Sequence, residues 1–186
     1  MTMSPPDPPL SDGVVALRPW EERDVHDIAI ACCDDEIARW LDQVPQPYTD
    51  ADAREYVAMT RRGWKDSTAA TFAITDAVTG EVLGSIGVHW LDPAQSVGEV
   101  GYWVKREARG RGVASGALRL VASWAVDGCG LQRLQLRADA LNLASQQVAE
   151  AVGFTREGVS RSIRYNARQG RRVDFVVYSL LPGELT

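Results

Sequence analysis

Gly98-Glu99-Val100-Gly101-Tyr102-Trp103-Val104 leads, after four residues, into Arg109-Gly110-Arg111-Gly112-Val113-Ala114. The first stretch, part of a run from Val97 to Val104, has the β-branched and aromatic content of a strand. The second opens a helix, because Val113, Ala117, Leu120, Val121 and Trp124 fall on one face of a 3.6-residue period. A strand, a loop with two glycines and a helix starting near Val113 bring the free N–H groups of a first turn and the positive end of the helix dipole to one point. That point suits an anionic phosphate. Gly110, Gly112 and Ala114 leave the backbone approachable, and Arg109 and Arg111 add positive charge. A tight turn with two solvated arginines carries the same letters, so the loop alone does not decide the matter.

Other phosphate motifs fit less well. The loop lacks the Gly-Lys-Ser/Thr ending of a P-loop, and Ser115 stands where a dinucleotide fingerprint needs its third glycine.

Working outward, Thr71 to Thr75 and Val82 to Leu91 are β-rich runs around the hairpin loop Asp76 to Gly80, so Val97 to Val104 is the third of three successive strands. Upstream, Val14 to Leu17 reads as a strand ended by Pro19. Val25, Ile28, Ala29 and Cys32 then recur at helical spacing after Asp24, a candidate cap. Thr49 and Asp52 have the spacing of a capping box for a second helix whose inner face is Ala53, Tyr56, Val57 and Thr60. Downstream, the helix after the loop stops at Gly128 and Gly130, and Leu134, Leu136 and Ala138 alternate with polar residues as a half-buried strand does. Ser145, Val148, Ala149 and Val152 share a helical face that ends at Gly153. Val159 to Arg164 and Val173 to Leu180 are two final strands across the turn Asn166 to Arg172. The order β-α-α-β-β-β-α-β-α-β-β predicts an α/β fold with a mixed, mostly antiparallel sheet and one β-α-β crossover.

The 186 residues, 45% apolar and 24% charged, suit one domain, expected over residues 13–182 after a disordered tail at 1–12. Met1 to Pro9 has neither the basic start nor the apolar run of a leader. A net charge of −5 without a basic block argues against a nucleic-acid partner. No apolar run approaches the ~18 residues of a membrane span. Three cysteines, two of them adjacent (Cys32, Cys33), offer no disulfide framework, which points to a reducing, cytoplasmic setting.

The two opening stretches, with Asn142-Leu143-Ala144-Ser145 and Gly153-Phe154 after them, Leu17-Arg18-Pro19 before and Tyr178-Ser179-Leu180 at the end, resemble the GNAT superfamily of N-acetyltransferases. Within it they resemble the RimJ/RimL-like branch, which includes acetyltransferases of ribosomal-protein N-termini. The resemblance runs from about Val14 to Leu181. It implies acetyl-CoA as co-substrate, no metal, and pantetheine lying between two splayed strands against the backbone of Trp103 and Val104. The pyrophosphate is then expected on the N–H groups from Gly110 through Arg111, Gly112, Val113 and Ala114 to Ser115, and Asn142 matches a residue that holds the coenzyme arm. Asn142 also reads as a plain helix cap, and the two roles are compatible. A homodimer fits the family, although no apolar stripe in the sequence compels one.

Acetyl transfer to an amine needs a neutral nucleophile, a polarised thioester carbonyl and help for the departing thiolate. The resemblance implies direct attack in a ternary complex, with a backbone N–H near Val104 facing the oxyanion. Many family members place a tyrosine acid seven residues after the asparagine, where this chain has Ala149. Ser145 matches the serine of the RimL-like pattern and can donate to sulfur, or it can serve only as a residue of the helix cap. Glu99 is the preferred base, against the reading of a solvated strand carboxylate. His89 and the cysteines are read as structural. The acidic run Asp34, Asp35, Glu36, Asp42, Asp50 and Asp52 either attracts a cationic acceptor or is a solvated helical surface. Two further readings stay open: a non-catalytic acyl-CoA sensor of the same fold, motivated by Ala149, and a nucleotide-binding regulatory module.

Overall fold

The computed structural model describes residues 4–185. Eight strands form one sheet in the order β1-β2-β3-β4-β5-β6-β8-β7: β1 (Leu10–Ser11), β2 (Val15–Pro19), β3 (Ala69–Asp76), β4 (Val82–Asp92), β5 (Val97–Val104), β6 (Arg133–Asp139), β7 (Thr155–Asn166) and β8 (Arg171–Leu180). Five helices flank it: α1 (Val25–Cys32), α2 (Asp35–Trp40), α3 (Asp50–Asp66), α4 (Val113–Ser123) and α5 (Leu143–Ala151). Every neighbouring pair is antiparallel except β5 and β6, which run parallel because α4 crosses between them. This is the mixed, mostly antiparallel α/β architecture that the element order predicts.

The two-residue period of a strand sorts the core into two layers. Phe72 and Ile74 of β3 join the larger cluster, with Val113, Ala117, Leu118 and Val121 of α4 and with Leu134, Leu136 and Tyr178. Ala73, between them, belongs to the other cluster, with Trp20, Ile28 of α1 and Ala53 and Val57 of α3. Each Val or Leu so buried contributes roughly 1.5–3 kcal/mol relative to exposure. The capping box of α3 is formed, with Asp52 N–H donating to Thr49 Oγ1 and Thr49 N–H to Asp52 Oδ2.

Several details differ from the expectations. Of the tail expected at residues 1–12, Leu10 and Ser11 pair with Leu17 and Ala16 as β1, and residues 1–3 lie outside the described residues. Asp24 does not cap α1 with its side chain. Its buried carboxylate instead takes two bonds from Arg18, at 2.7 and 2.8 Å, and one from the Glu21 amide. The extra helix α2 is capped by Asp34, whose carboxylate accepts from the Glu36 amide at 3.0 Å. β7 is longer than its apolar alternation suggests, because most of its residues are exposed.

Candidate active site

β5 and β6 pair only over Val97 to Val100 and Arg133 to Leu136. Beyond that register both strands continue, β5 to Val104 and β6 to Asp139, without pairing to each other. Over residues 101–104 the β6 side of β5 therefore has no strand partner, and backbone polar groups demand a partner when covered. At its end lies the glycine loop. Gly110 and Gly112 adopt φ of 70° and 77°, the left-handed region in which glycine alone is unstrained. Gly112 is the N-cap of α4, whose ladder starts with the Gly116 N–H on the Gly112 carbonyl at 2.9 Å. The N–H groups of Val113, Ala114 and Ser115 therefore have no helical acceptor. A methyl group at Gly110 or Gly112 would meet no atom within 4 Å, so the space over the loop is open.

These elements enclose a cleft of about 720 Å³. Trp103, Val104, Arg109, Gly110, Gly112, Val113, Ala114, Ser115 and Asn142 all line it, as do Glu99 and Ser145. The two arginines are arranged differently from the expectation that both add charge to the loop. Arg111 is exposed and off the cleft lining. Arg109 lines the cleft, but its guanidinium is bound to Asp34 at 2.5 Å, Glu36 at 2.9 Å and the Val104 carbonyl at 3.1 Å. Burial would raise the Asp34 carboxyl, yet the Glu36 amide and Arg109 outweigh it and hold it below the ordinary range. Arg109 thus ties α2 to the loop, and what the loop itself offers the cleft is its backbone amides.

On the opposite wall, Asn142 caps α5 through Oδ1, which accepts from the Ser145 backbone N–H at 3.1 Å. The Ser145 hydroxyl has no part in that cap. It lies 3.0 Å from the Tyr102 hydroxyl, which reaches it from β5. Burial pushes the Tyr102 phenol up to about 12, the bond to Ser145 only partly opposing it, so it stays protonated at neutral pH. Ala149, at the position where many family members carry a tyrosine, is fully buried in the core and is not part of the cleft lining. Tyr102 is the polar group that sequence reasoning passed over. It stands inside the opening stretch, but only the tertiary fold brings α5 within reach of its hydroxyl.

Glu99 is almost buried and firmly held. Arg137 donates to its two oxygens at 2.5 and 2.8 Å, and Gln135 donates at 3.0 Å. The hydrogen bonds and the charge of Glu99 in turn raise the Arg137 guanidinium. His89, half-exposed on the neighbouring β4, places Nε2 3.6 Å from Glu99 Oε1. Glu99 is therefore an anchored, charge-compensated carboxylate with a histidine at its open side.

A second cavity, of about 850 Å³, lies between α3 and the floor of β3 to β5. Tyr48, Tyr56, Met59 and Trp103 supply apolar walls, and Asp52, Glu55, Asp66 and Arg62 also line it. The two spaces share Leu41, Gln43, His89, Gly101, Tyr102 and Trp103. Gly101 faces Gly87 across the β4–β5 ladder, and a side chain built on Gly101 would enter open space. Much of the acidic run is engaged elsewhere: Asp34 with Arg106 and Arg109, Glu36 with Arg109, Asp42 with Arg164. Among the described residues no group of three His, Cys, Asp or Glu side chains is placed to hold a metal ion, and no helix is long and apolar enough to cross a membrane.

Comparison with known proteins places this geometry. The chain is 27% identical over 171 residues to an uncharacterized N-acetyltransferase, p20, of Bacillus licheniformis, covering 91% of this chain and 94% of that one. It is 28% identical over 85 residues to the ribosomal-protein-serine acetyltransferase of Escherichia coli, covering 46% and 48% of the two chains. The fold matches RimJ of Mycobacterium smegmatis, solved in complex with CoA-disulfide, with a TM-score of 0.83 at 22% identity over 95% of this chain and 87% of that one. Residues 15–155 match the model of the acetyltransferase (GNAT) domain, and with the parted strands and glycine loop falling inside that span, the chain belongs to the GNAT acetyltransferase family.

Proposed function

We propose that the protein transfers an acetyl group from acetyl-CoA to a primary amine, on a protein N-terminus or a small molecule, by direct attack in a ternary complex. The observation that carries this reading is the meeting of two spaces at Gly101: a cleft with a backbone anion site at one end, and a separate cavity with apolar walls. The pyrophosphate sits on the amides from Gly110 to Ser115, the pantetheine lies along Trp103 and Val104, and Asn142 borders the arm. The amine arrives from the α3 side. A backbone N–H of residues 101–104 faces the oxyanion, where a fixed dipole stabilises developing charge. Ser145 donates a hydrogen bond to the leaving sulfur. Glu99 takes the amine proton through the group or water at its open side, since Arg137 and Gln135 occupy its other directions. A non-catalytic acyl-CoA sensor would not require a pair of bonded hydroxyls on the lining of the cleft.

Coenzyme A should stabilise the folded protein by mass action, visible as a rise in melting temperature at millimolar ligand. A screen of peptides and small amines, read by thiol release from acetyl-CoA, then identifies the acceptor. Ser145→Ala should lower kcat roughly 10²-fold, the lower end for acid catalysis. Its melting temperature should barely change, because the cap bond uses the backbone of Ser145 and survives the substitution. Undiminished kcat would remove Ser145 from the mechanism, and absence of coenzyme binding would remove the function.

A further inference from the structure

Tyr102 and Ser145 are a pair of hydroxyls joined across the cleft, from β5 on one wall and α5 on the other, and the proposed mechanism uses only Ser145. The Tyr102 hydroxyl stands 3.0 Å from Ser145 Oγ and 3.3 Å from the Ser145 carbonyl. We infer that Tyr102 is a positioning residue that aims the Ser145 proton at the departing sulfur. This rests on the acetyl-transfer reading and adds to it the group that makes a serine competent there.

The phenol has one proton and two acceptors within reach. If it donates to the Ser145 carbonyl, it is left to accept from Ser145 Oγ, and the serine proton is closed within the pair. If it donates to Ser145 Oγ, the serine proton must point elsewhere, and the cleft is the open side. The Ser145 carbonyl already serves the α5 ladder, and it lies farther from the phenol than Oγ does, at 3.3 against 3.0 Å. A sulfur gaining negative charge in the cleft favours the second. Burial supports this role, since it keeps Tyr102 a phenol and hence a donor across the working pH range.

The chemistry balances without ionising either hydroxyl. As the tetrahedral intermediate collapses, the C–S bond breaks and its electron pair leaves on sulfur. Ser145 donates a hydrogen bond to that thiolate, Tyr102 donates to Ser145 Oγ, and the thiolate later takes a proton from solvent. A thiol ionises near 8.5, far below an aliphatic hydroxyl, so full proton transfer from serine is not needed.

The test uses coenzyme A itself and so needs no known acceptor. The ionisation of the bound thiol is followed by thiolate ultraviolet absorbance across pH in the wild type, Tyr102→Phe, Ser145→Ala and the double variant. Hydrogen bonding to the thiolate lowers the thiol pKa, so both single variants should raise it and the double variant should raise it no further. With any amine that turns over, Tyr102→Phe should lower kcat about tenfold, consistent with loss of one hydrogen bond in the transition state. It should leave coenzyme affinity unchanged and cost nothing extra on a Ser145→Ala background. The ring remains, so folding is preserved. Wild-type thiol ionisation and kcat in Tyr102→Phe, beside losses in Ser145→Ala, would overturn the inference and leave the acetyl-transfer reading standing, as would losses that multiply in the double variant. If Ser145→Ala changes neither quantity, the assignment of Ser145 falls and the inference with it.

Discussion

The cleft at the glycine loop runs along the backbone of β5, β6 and the helix starts that follow them, with side chains added from α2, β7 and β8, while the cavity under α3 gathers Cys32, Tyr48, Met59, Thr71 and Gly87 from segments scattered over the first half of the chain. The first is largely a backbone site: unpaired strand edges, positive-φ glycines and the free amides of a helix start. The second is a side-chain site whose shape depends on how α3 packs over three strands. A backbone site needs a few letters in fixed order. A side-chain site can be reshaped by any of a dozen positions, so under the proposed function the cavity is where a change of acceptor would be written while the donor stays the same.

The sharpest way to break this division is to close the junction. Gly101 lies in both spaces and has room for a side chain, so Gly101→Leu should fold normally and fill the passage. Amine turnover should fall at least 10²-fold, the scale at which misplaced reactants lose rate. Coenzyme affinity should stay within about threefold. Equal loss of coenzyme binding, measured by calorimetry, would mean that the two spaces are one site and that Gly101 belongs to the coenzyme half.

Gly112→Val probes the other side. At φ of 77° valine is strained, so the loop must shift and the amides of Val113 to Ser115 lose their common aim. The KM for acetyl-CoA should rise roughly tenfold or more, as for the loss of charge-assisted hydrogen bonds. The melting temperature should drop by the equivalent of about 1–2 kcal/mol. The acceptor KM should hardly move. A folded Gly112→Val protein with ordinary coenzyme affinity would overturn the loop assignment.

The same division explains what could be read from the letters. The three strands before the loop, α4, β6 and α5 carry clean periodicities, and Gly110 and Gly112, singled out by the loop, line the cleft together with Asn142 and Ser145, which only the family resemblance marked. α2 was invisible because six residues, Asp35 to Trp40, are too few to show a helical period. β1 exists only through its register with β2. The arginines of the loop read as phosphate ligands because a sequence shows charge but not partner, and Asp34 and Glu36, some 70 positions away, decide the matter for Arg109. Tyr102 and His89 gain their meaning from contacts between elements, which no local window contains.

The smallest expected effect concerns how the acceptor side is held together. Glu99 stands at one end of a ladder across the sheet: Gln135 bonds to it, Arg133 to Gln135 at 3.4 Å, and Arg133 to both oxygens of Glu157 at 2.6 Å, with Ser179 donating to Glu157 at 2.8 Å. Arg133 first and Ser179 second hold the Glu157 carboxyl down at about 2. An unfolded glutamate titrates near 4.3, so as pH falls the unfolded state takes up the proton first. The stability this group contributes is fully present above about pH 5 and is lost as pH drops through about 2. Glu157 is partly exposed, with 39% of its side chain accessible, so screening reduces the effect to about 0.5 kcal/mol. Melting temperatures of wild type and Glu157→Gln should therefore differ by about a degree or two at pH 6, draw together as pH falls below about 4, and converge only below about pH 2. Amine turnover of Glu157→Gln at neutral pH should stay within twofold of wild type, because Arg137 and Gln135 still hold Glu99 when the far end is cut. A gap independent of pH would show that Glu157 acts through packing. A large fall in turnover would show that Glu99 is positioned from the sheet edge and that the acceptor half extends as far as β7.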